Sequence, residues 1–282
     1  MISVIVIARN AESTIFLALL SLLISLRKCD EVLLLLDACS DNTEMKARRL
    51  TDKRIKIFST SEPLGRSGGR NFLIEKAKGE IIGVLDADDI ALPWRFFLAR
   101  KLLRKHDAVF GTAIVFGKSL KFVPFLPQPM RSIHPRMMAI ECLGRNPLVH
   151  SSATFKKSAL GAETAYRDSE AEEYDLWLRM LNSDLRLYRS ALPVVLYRMH
   201  PNQASQQPGF IERAQNCSLV MNQQKKLARK IGLQLETIDS IRCVALEQVS
   251  QSSHLARLEV LGLGGLKNLI SRRSKRPYPN SI

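Results

Sequence analysis

Short apolar runs alternate with segments of helical character along the first half of the chain. The run from Ile2 to Ala8 predicts a buried strand, and Ser13 then precedes a helical segment that ends near Leu26. The other elements predicted in this half are strands at residues 31–36, 54–58, 80–85 and 108–116 and helices at residues 66–77 and 93–103. This alternation is typical of an α/β fold in which a Rossmann-like, mostly parallel sheet is flanked by helices.

The pattern changes twice in the second half. Residues 122–135 contain four prolines, which predicts an irregular loop over the site rather than a helix or strand. The regular segments that follow are predicted to be a strand at 151–157, a helix at 172–181 and a strand at 192–199. From Pro208 onward the pattern is helical only, at residues 210–231, 237–250 and 254–271. We therefore predict a main domain at residues 1–207 and a helical C-terminal extension at residues 208–282.

Polar clusters directly follow three of the predicted strands. The sequence "ARN" follows the first strand, "DACSDNT" the second and "DADD" the fourth. In parallel α/β sheets, ligands bind beyond the carboxyl ends of the strands. These three loops are therefore predicted to share one edge of the sheet and to form a ligand site there.

Length and composition limit the classes of protein that this chain can belong to. The chain has 282 residues and is 46% hydrophobic, which is sufficient for one large domain with an appendage. Its longest apolar stretch, Ile15 to Leu26, is shorter than the roughly 20 residues that span a bilayer. The first residues lack the charged start and cleavage site of a signal peptide, so we expect a cytoplasmic protein. Five scattered cysteines without CxxC spacing indicate reduced thiols rather than a zinc site or a disulfide framework.

The net charge of +15 points to an anionic partner. Nucleic acid, an anionic membrane and anionic small substrates would each account for it. The sequence has no zinc finger, helix-turn-helix signature or basic stretch with interleaved aromatics, so we expect no nucleic acid partner. The segment from Pro208 onward holds 12 Lys and Arg against 5 Asp and Glu. This excess predicts either attraction to anionic lipid at the inner face of the membrane or a solvated helix face.

Three acids stand close together in "GVLDADDIALP", at Asp86, Asp88 and Asp89. Carboxylates so close repel one another unless a cation lies among them or one takes up a proton. Mg²⁺ or Mn²⁺ satisfies this requirement, since hard cations prefer oxygen ligands and are often shared with substrate phosphates. The sequence therefore predicts a metal and diphosphate site. The alternative is that the acids cap the helix that begins at Pro93, for which Asp89 alone would suffice.

Two further loops carry candidate ligand contacts. Asp37, at the end of the second strand, is interpreted as an acceptor for a base N–H or for ribose hydroxyls. Asp41 is interpreted instead as a turn residue that, with Thr43, caps the following helix. The stretch "GRSGGRN" places helix N-terminal amides beside Arg66 and Arg70, which predicts an anion site.

The order of these segments resembles that of the family 2 glycosyltransferases. The resemblance covers roughly residues 1–207 and is carried by "ISVIVIARN", "EVLLLLDACSDNT", "GRSGGRNFLIEKAKGEIIGVLDADDIALPWR", "EEYDLWLRM" and "YRMHPNQAS". It implies the GT-A fold and an inverting transfer of a sugar from a nucleotide-sugar. It also implies that Asp86 and Asp88 form the DXD element, which binds the metal and the donor sugar or ribose, with Asp89 adjacent.

The resemblance assigns the nucleotide contacts, with two departures from the family pattern. Arg9 and Asn10 occupy the first motif, where the family commonly has a proline and a tyrosine that stacks on the base; arginine can also stack on a base. The paired acids of the second motif are reduced to Asp37, which stays the best nucleotide contact. His200 is similar to the histidine of the family's Y-R-x-H motif and is assigned to the metal or the donor phosphates.

The resemblance places the catalytic base on a changed residue. Family members have an E-D pair before Y-D-L-W-L-R, and the aspartate removes the acceptor proton; here that position is Glu173. A glutamate can do the same with one more methylene of reach. Glu172 is the alternative base, and a favourable charge at a helix N-terminus is the other interpretation of both residues. His150 is interpreted as structural or as lining the acceptor site.

The implied function is sugar transfer, most commonly from a UDP-sugar in this family. The implied acceptor is a hydroxyl of a saccharide or a lipid-linked molecule in cell-envelope polysaccharide or glycolipid synthesis. Two alternatives stay open. The departures from the motifs would also suit a nucleotide-binding scaffold of the same fold that no longer catalyses. A nucleotidyltransferase would also join a metal-binding acid cluster to a nucleotide, but it would release pyrophosphate.

Overall fold

The computed structural model describes residues 1–117, 131–161, 165–200, 203, 207–233 and 237–245. Its strands are β1 (Ile2–Ala8), β2 (Glu31–Asp37), β3 (Ile55–Thr60), β4 (Ile81–Val84), β5 (Ile90–Ala91), β6 (Ala108–Gly117), β7 (Thr154–Lys156) and β8 (Leu187–Met199). Its helices are α1 (Ile15–Ser25), α2 (Thr43–Ala47), α3 (Gly65–Lys76), α4 (Arg95–Leu102), α5 (Pro135–Gly144), α6 (Glu172–Asn182), α7 (Phe210–Gln215) and α8 (Ser218–Lys230). The strands form an eight-stranded sheet in the order β3-β2-β1-β4-β7-β6-β8-β5.

The first half of the chain forms the parallel part of the sheet. β1 pairs in parallel with β2 and with β4, and β2 pairs in parallel with β3. Every residue of β2 is buried, as expected for a central strand covered on both faces. The carboxyl ends of β1, β2 and β4 therefore lie at the same edge of the sheet. This confirms that the three polar loops share one edge, called here the rim.

The second half of the chain adds antiparallel pairings that the sequence does not reveal. β7 pairs antiparallel with both β4 and β6, and the long strand β8 pairs in parallel with β6. The two-residue strand β5 pairs antiparallel with β8. The sequence prediction lacks β5 and α5 and gives no bounds for α2, and β8 begins earlier than predicted.

Alternate residues of β1 assign the helices to the two faces of the sheet. Val4 and Val6 belong to a core that includes Leu22 of α1 and Phe96 of α4. Ile5 belongs to a second core, to which α3, α5 and α6 contribute. The helices therefore cover both faces, as predicted.

Helix α3 packs directly on β1 and β2. A Cβ atom at position 69 would come within 2.9 Å of side-chain atoms of Ile7 and Leu35, so Gly69 permits this close approach. Tight packing of this helix fixes the orientation of Arg66 and Arg70, which are one helical turn apart on the side of the helix next to Gly69.

The C-terminal helices share a core with the rest of the protein. Val220, Leu227 and Ala228 of α8 are buried in the same cluster as Trp177 of α6. The helix predicted at residues 210–231 is in fact two helices, because Cys217 has an extended conformation between α7 and α8. The division of the chain at residue 208 stays a prediction.

Some predicted segments lie wholly or partly outside the described residues. Of the proline-rich segment, residues 122–130 are not described, and Pro135 is the first residue of α5 rather than part of a loop. Residues 238–245 are helical, while the helix predicted at 254–271 lies beyond the described part of the chain. Among the described helices, none combines the length and the apolar character needed to cross a bilayer.

Candidate active site

The loops after β1 and β2 meet at the rim. Asn10 adopts a left-handed conformation, with φ of 52°, and its side-chain oxygen accepts a hydrogen bond from the Ser40 N–H at 2.9 Å. Arg9 is exposed beside it. Asp41 accepts hydrogen bonds from the backbone N–H groups of Thr43 and Glu12, which confirms its interpretation as a turn residue. A nucleotide contact by Arg9 or Asn10 stays a prediction.

Asp37, the last residue of β2, holds the beginning of α3. Its carboxylate accepts the backbone N–H of Leu64 at 2.7 Å and that of Gly65 at 3.1 Å. A carboxylate in this position satisfies helix N-terminal donors and complements the helix dipole. Asp37 therefore sets the position of α3, while a nucleotide contact through its remaining lone pairs stays a prediction.

An ion-pair network centred on the buried Glu172 joins α3 to α6 and to the loop after β4. Arg70 Nη1 donates to Glu172 Oε1 at 2.6 Å, and Arg66 Nη2 lies 3.1 Å from Glu172 Oε2. Arg70 Nη2 also lies 3.7 Å from Asp86 Oδ1. Only 1% of the Glu172 side chain is exposed. We call these four residues, Arg66, Arg70, Asp86 and Glu172, the arginine–glutamate network.

Neighbouring side chains keep Asp86 ionised. His150 Nδ1 lies 3.7 Å from Asp86 Oδ1, and the Asp86 N–H donates to Ser151 Oγ at 3.0 Å. Burial acts to raise the pKa of Asp86, but His150, Arg70 and Arg66 outweigh it and lower the pKa to about 2. Asp86 is therefore an anion at neutral pH, as a metal ligand must be.

Sequence reasoning missed Tyr166 as a component of the site. Its hydroxyl lies 3.1 Å from His150 Nε2, and the guanidinium of Arg70 lies 5.2 Å from the centre of its ring. Tyr166 thus connects the imidazole beside Asp86 to the arginine–glutamate network. No local motif marks this tyrosine, because its partners come from distant segments of the chain.

A second group of side chains surrounds the last two acids. His200 Nε2 lies 3.0 Å from Asp88 Oδ2. Asp89 Oδ1 accepts the backbone N–H of Arg198 at 2.8 Å, which ties the end of β8 to the acidic turn. Helix α4 has no side-chain cap, so the alternative that Asp89 caps it is wrong.

The acids at the rim fit a divalent cation held jointly with a ligand. Burial and the charge of Asp86 raise the pKa of Asp88, which indicates that the described side chains do not fully balance the negative charge. Within the described residues no three His, Cys, Asp or Glu side chains form a preassembled metal cage. Mg²⁺ is often held by one or two carboxylates plus substrate phosphates, and Asp86 and Asp88 suit that mode of binding. His200 contacts Asp88, and its role as a metal ligand stays a prediction.

Glu173 has different surroundings from those of its neighbour Glu172. It lines a cavity of about 270 Å³ between α6 and the C-terminal helices. Burial and the charge of Glu172 raise the pKa of Glu173, while His150 and Arg70 act in the opposite direction. Among the described residues Glu173 has no ion-pair partner. The cavity is also lined by Arg145, Tyr174, Phe210, Gln224 and Arg242.

Buried hydrogen bonds connect α8 to the start of α6. Gln224 Nε2 donates to the hydroxyl of Tyr174 at 3.0 Å and to the carbonyl of Leu143 at 2.8 Å. Tyr174 in turn donates to the carbonyl of Cys142 at 2.5 Å, and Arg242 donates to the side-chain oxygen of Gln224 at 3.1 Å. The helices beyond Pro208 therefore support the residue that directly follows Glu173.

Comparison with known proteins decides the family. The profile of glycosyl transferase family 2 matches residues 3–162, more than half of the chain. The chain belongs to glycosyl transferase family 2. Over 154 residues it is 29% identical to the O-antigen biosynthesis glycosyltransferase WbnJ of Escherichia coli, covering 53% of this chain and 59% of WbnJ.

A second relative within the family is the Escherichia coli protein WfgD, named as a UDP-Glc:alpha-D-GlcNAc-diphosphoundecaprenol beta-1,3-glucosyltransferase. The identity is 32% over 110 residues, which cover 39% of this chain and 44% of WfgD. The matched segments therefore span about half the length of WbnJ and of WfgD.

Solved structures show that the family 2 chain has the GT-A fold. S. aureus TarS in complex with UDP-GlcNAc aligns with a TM-score of 0.64 at 18% identity, covering 87% of this chain and 71% of that chain. The mannosyltransferase PcManGT from Pyrobaculum calidifontis, in complex with GDP-Man and Mn²⁺, aligns with a TM-score of 0.58 at 19% identity, covering 94% and 80%. The predicted fold is thus confirmed.

Proposed function

We propose that this protein transfers a sugar from a nucleotide-sugar to an acceptor hydroxyl with inversion at the anomeric carbon. The observation that carries the proposal is the contrast between two adjacent glutamates beside the rim. Glu172 is neutralised by Arg66 and Arg70, whereas Glu173 lacks an ion-pair partner among the described residues and faces a cavity. A transferase needs both kinds of surroundings, one for an anionic donor and one for proton removal.

The donor side is assigned to the rim and to the arginine–glutamate network. Arg66 and Arg70 provide positive charge beside Asp86, and Arg66 is partly exposed. A Mn²⁺ or Mg²⁺ ion held by Asp86, Asp88 and His200 together with the donor phosphates would neutralise charge on the departing diphosphate. The bound nucleotide-sugars in the solved structures above and the donor named for WfgD support a nucleotide-sugar donor. UDP is the nucleotide that we propose for it.

Glu173 is assigned as the general base. It takes up the proton of the acceptor hydroxyl while that oxygen attacks the anomeric carbon from the face opposite the diphosphate. The bond from the anomeric carbon to the diphosphate breaks, and the nucleoside diphosphate leaves with the bonding electrons. Glu172 is a poorer base because both of its oxygens already lie against arginines.

The acceptor side is assigned to the cavity beside Glu173. Its wall combines Tyr174 and Phe210, which offer ring faces to a sugar, with Arg145 and Arg242, which favour a negatively charged group. These residues suit a saccharide or a lipid-linked saccharide that carries phosphate. The names of the Escherichia coli relatives support a role in cell-envelope polysaccharide synthesis.

The experiment is a transfer assay on the full chain with Mn²⁺ and a panel of UDP-, GDP- and dTDP-sugars. Release of nucleoside diphosphate and the anomeric configuration of the product are measured. Replacing Glu173 with Gln should lower kcat by about 10²- to 10⁴-fold and leave donor affinity unchanged. Glu173→Asp should restore part of the rate, and Glu75→Gln, an exposed carboxylate of α3, serves as the matched control.

Each contrary outcome has its own meaning. Full turnover by the Glu173→Gln variant would disprove the base assignment while leaving the transferase assignment intact. If the unaltered chain binds the donor but neither transfers its sugar nor hydrolyses it, the result would favour the non-catalytic scaffold. Release of pyrophosphate would identify a nucleotidyltransferase.

A further inference from the structure

Helix α4 exposes aromatic side chains along the face that points away from the protein. Its buried residues, Arg95, Phe96 and Ala99, lie on one side at about 100° per residue. Trp94 and Phe97 lie on the opposite side, and 68% of Phe97 is exposed. A helix of this kind normally turns polar residues outward, so exposed aromatics here require an explanation.

Helix α1 extends the exposed apolar surface beside α4. Leu17 and Ile24 lie two turns apart on the same stripe, opposite the buried residues of that helix, and 62% of Ile24 is exposed. Both helices pack on the same face of the sheet. Arg100 of α4 binds Asp30, which follows α1, at 2.5 Å. The outward faces of α1 and α4 are therefore neighbours.

A residue of strand β8 completes the surface. The indole N–H of Trp94 donates to the carbonyl of Pro193 at 2.7 Å, which places Leu192 nearby, and 52% of Leu192 is exposed. Single exposed apolar side chains are normal on proteins, but several on one face indicate an interaction site. We call the set of Leu17, Ile24, Trp94, Phe97 and Leu192 the apolar face.

Basic side chains border the apolar face. Lys101 lies on the exposed side of α4, Arg104 and Lys105 are exposed in the turn directly after it, and Arg27 and Lys28 follow α1. Within the described part of the chain none of the five has an ion-pair partner. Aromatic and aliphatic tips next to unpaired lysines and arginines match the interface of an anionic bilayer, where rings enter the headgroup region and cations meet phosphates.

The apolar face lies close to the rim along the chain. Trp94 is five residues after Asp89, so their Cα atoms are at most about 18 Å apart. A protein held by this face would therefore keep its rim within a short distance of the bilayer surface. Such a position suits an acceptor anchored in lipid.

We propose that the apolar face and its basic border dock the protein on an anionic phospholipid surface. Trp94 and Phe97 enter the headgroup region, and Lys101, Arg104 and Lys105 pair with lipid phosphates. The docking surface is built by α1, α4 and strand β8, all within the described part of the chain. It is independent of the transferase assignment, because it is measured as binding.

The experiment uses the full chain with vesicles of phosphatidylcholine alone or mixed with phosphatidylglycerol. The chain has two tryptophans, of which Trp177 is fully buried, so a change in emission on binding reports Trp94. Mixed vesicles should shift the emission to shorter wavelength, and Trp94→Phe should abolish the shift. Phe97→Ser should weaken vesicle binding about tenfold, and K101E/R104E should remove the preference for phosphatidylglycerol. Ile231→Ser, at an exposed position directly after α8 and outside the apolar face, is the matched control.

Three results would overturn the proposal. The first is no binding to mixed vesicles. The second is binding that survives Phe97→Ser and K101E/R104E but is lost when Arg272, Arg273, Lys275 and Arg276 become Gln, which would assign the membrane contact to the C-terminal cluster. The third is a concentration-dependent dimer that Phe97→Ser dissociates, which would show that a second copy covers the apolar face.

Discussion

The arginine–glutamate network and the cavity beside it hold neighbouring glutamates in opposite circumstances. Glu172 is buried between two guanidinium groups, so its charge is balanced and it contributes to the fold. Glu173 faces the cavity, and burial together with its negative neighbour raises its pKa. The comparison shows that residue type and chain position alone do not decide the surroundings of a carboxylate. The position of the counter-charge does.

The largest effect that would test this comparison is the loss of Glu172. Replacing it with Gln leaves two arginines without their shared anion, and breaking a buried ion pair in this way costs about 3–5 kcal/mol of unfolding free energy. Urea unfolding of the full chain measures it. The exposed control Glu75→Gln should stay within about 0.5 kcal/mol. Equal stability of the two variants would show that the network is not a structural element.

A smaller effect is expected where α3 is attached to the sheet. Asp37→Ala removes the acceptor of the Leu64 and Gly65 N–H groups and should cost about 2 kcal/mol, as measured by thermal unfolding. Asp37→Asn keeps one acceptor oxygen and should cost less. Because α3 carries the arginines, Asp37→Ala should also weaken donor binding while leaving the pH dependence set by Glu173 unchanged. An unaltered donor affinity would show that Asp37 does not contribute to donor binding.

The pH dependence of kcat/KM tests the comparison at Glu173, the glutamate that faces the cavity. As the proposed general base, Glu173 would act only when ionised, and its pKa is raised above the ordinary value of 4.5, so activity should fall on the acid side beginning above pH 4.5. Below that pKa the fall is about tenfold per pH unit. Glu172→Gln removes the negative charge that contributes to the shift and should move the acid limb to lower pH. If the acid side of the pH profile does not shift in this variant, a group other than Glu173 is responsible for the loss of activity.

The smallest effect concerns stability at Glu173. A carboxyl whose pKa is raised in the folded state stabilises the fold most when protonated, below its ordinary pKa of 4.5, and this contribution is lost as pH rises through the folded pKa. Glu173→Gln should therefore be slightly more stable than the unaltered protein at pH 8, with no difference at pH 4. Thermal midpoints at the two pH values measure this. A loss of stability at pH 8 would give Glu173 the same structural role as Glu172.

The parallel half of the fold could be predicted from the sequence because its strands are continuous apolar runs. β1 and β2 are buried along nearly their whole length, and each is followed by a polar loop. The antiparallel additions could not be predicted in the same way. β5 has two residues, too few for any period, and α5 begins at Pro135, which the proline count assigned to a loop.

The site was predictable as far as its motifs are local. The spacing of Asp86 and Asp88 predicts a metal site, and the structure places both residues at the rim, while their role as metal ligands stays a prediction. The distinction between Glu172 and Glu173 was not available from spacing, since it depends on Arg66 and Arg70 about one hundred positions earlier. Tyr166 had no signal for the same reason.

The hydrogen bonds of Gln224 set a limit on how this chain can be recombined with its relatives. A chimera that keeps residues 1–207 and receives a foreign tail would leave the hydroxyl of Tyr174 and the carbonyl of Leu143 without their shared partner. It would also uncover core side chains that α8 encloses. A chimera designed to exchange acceptor preference between such enzymes would therefore have to take α6 and α8 from the same parent.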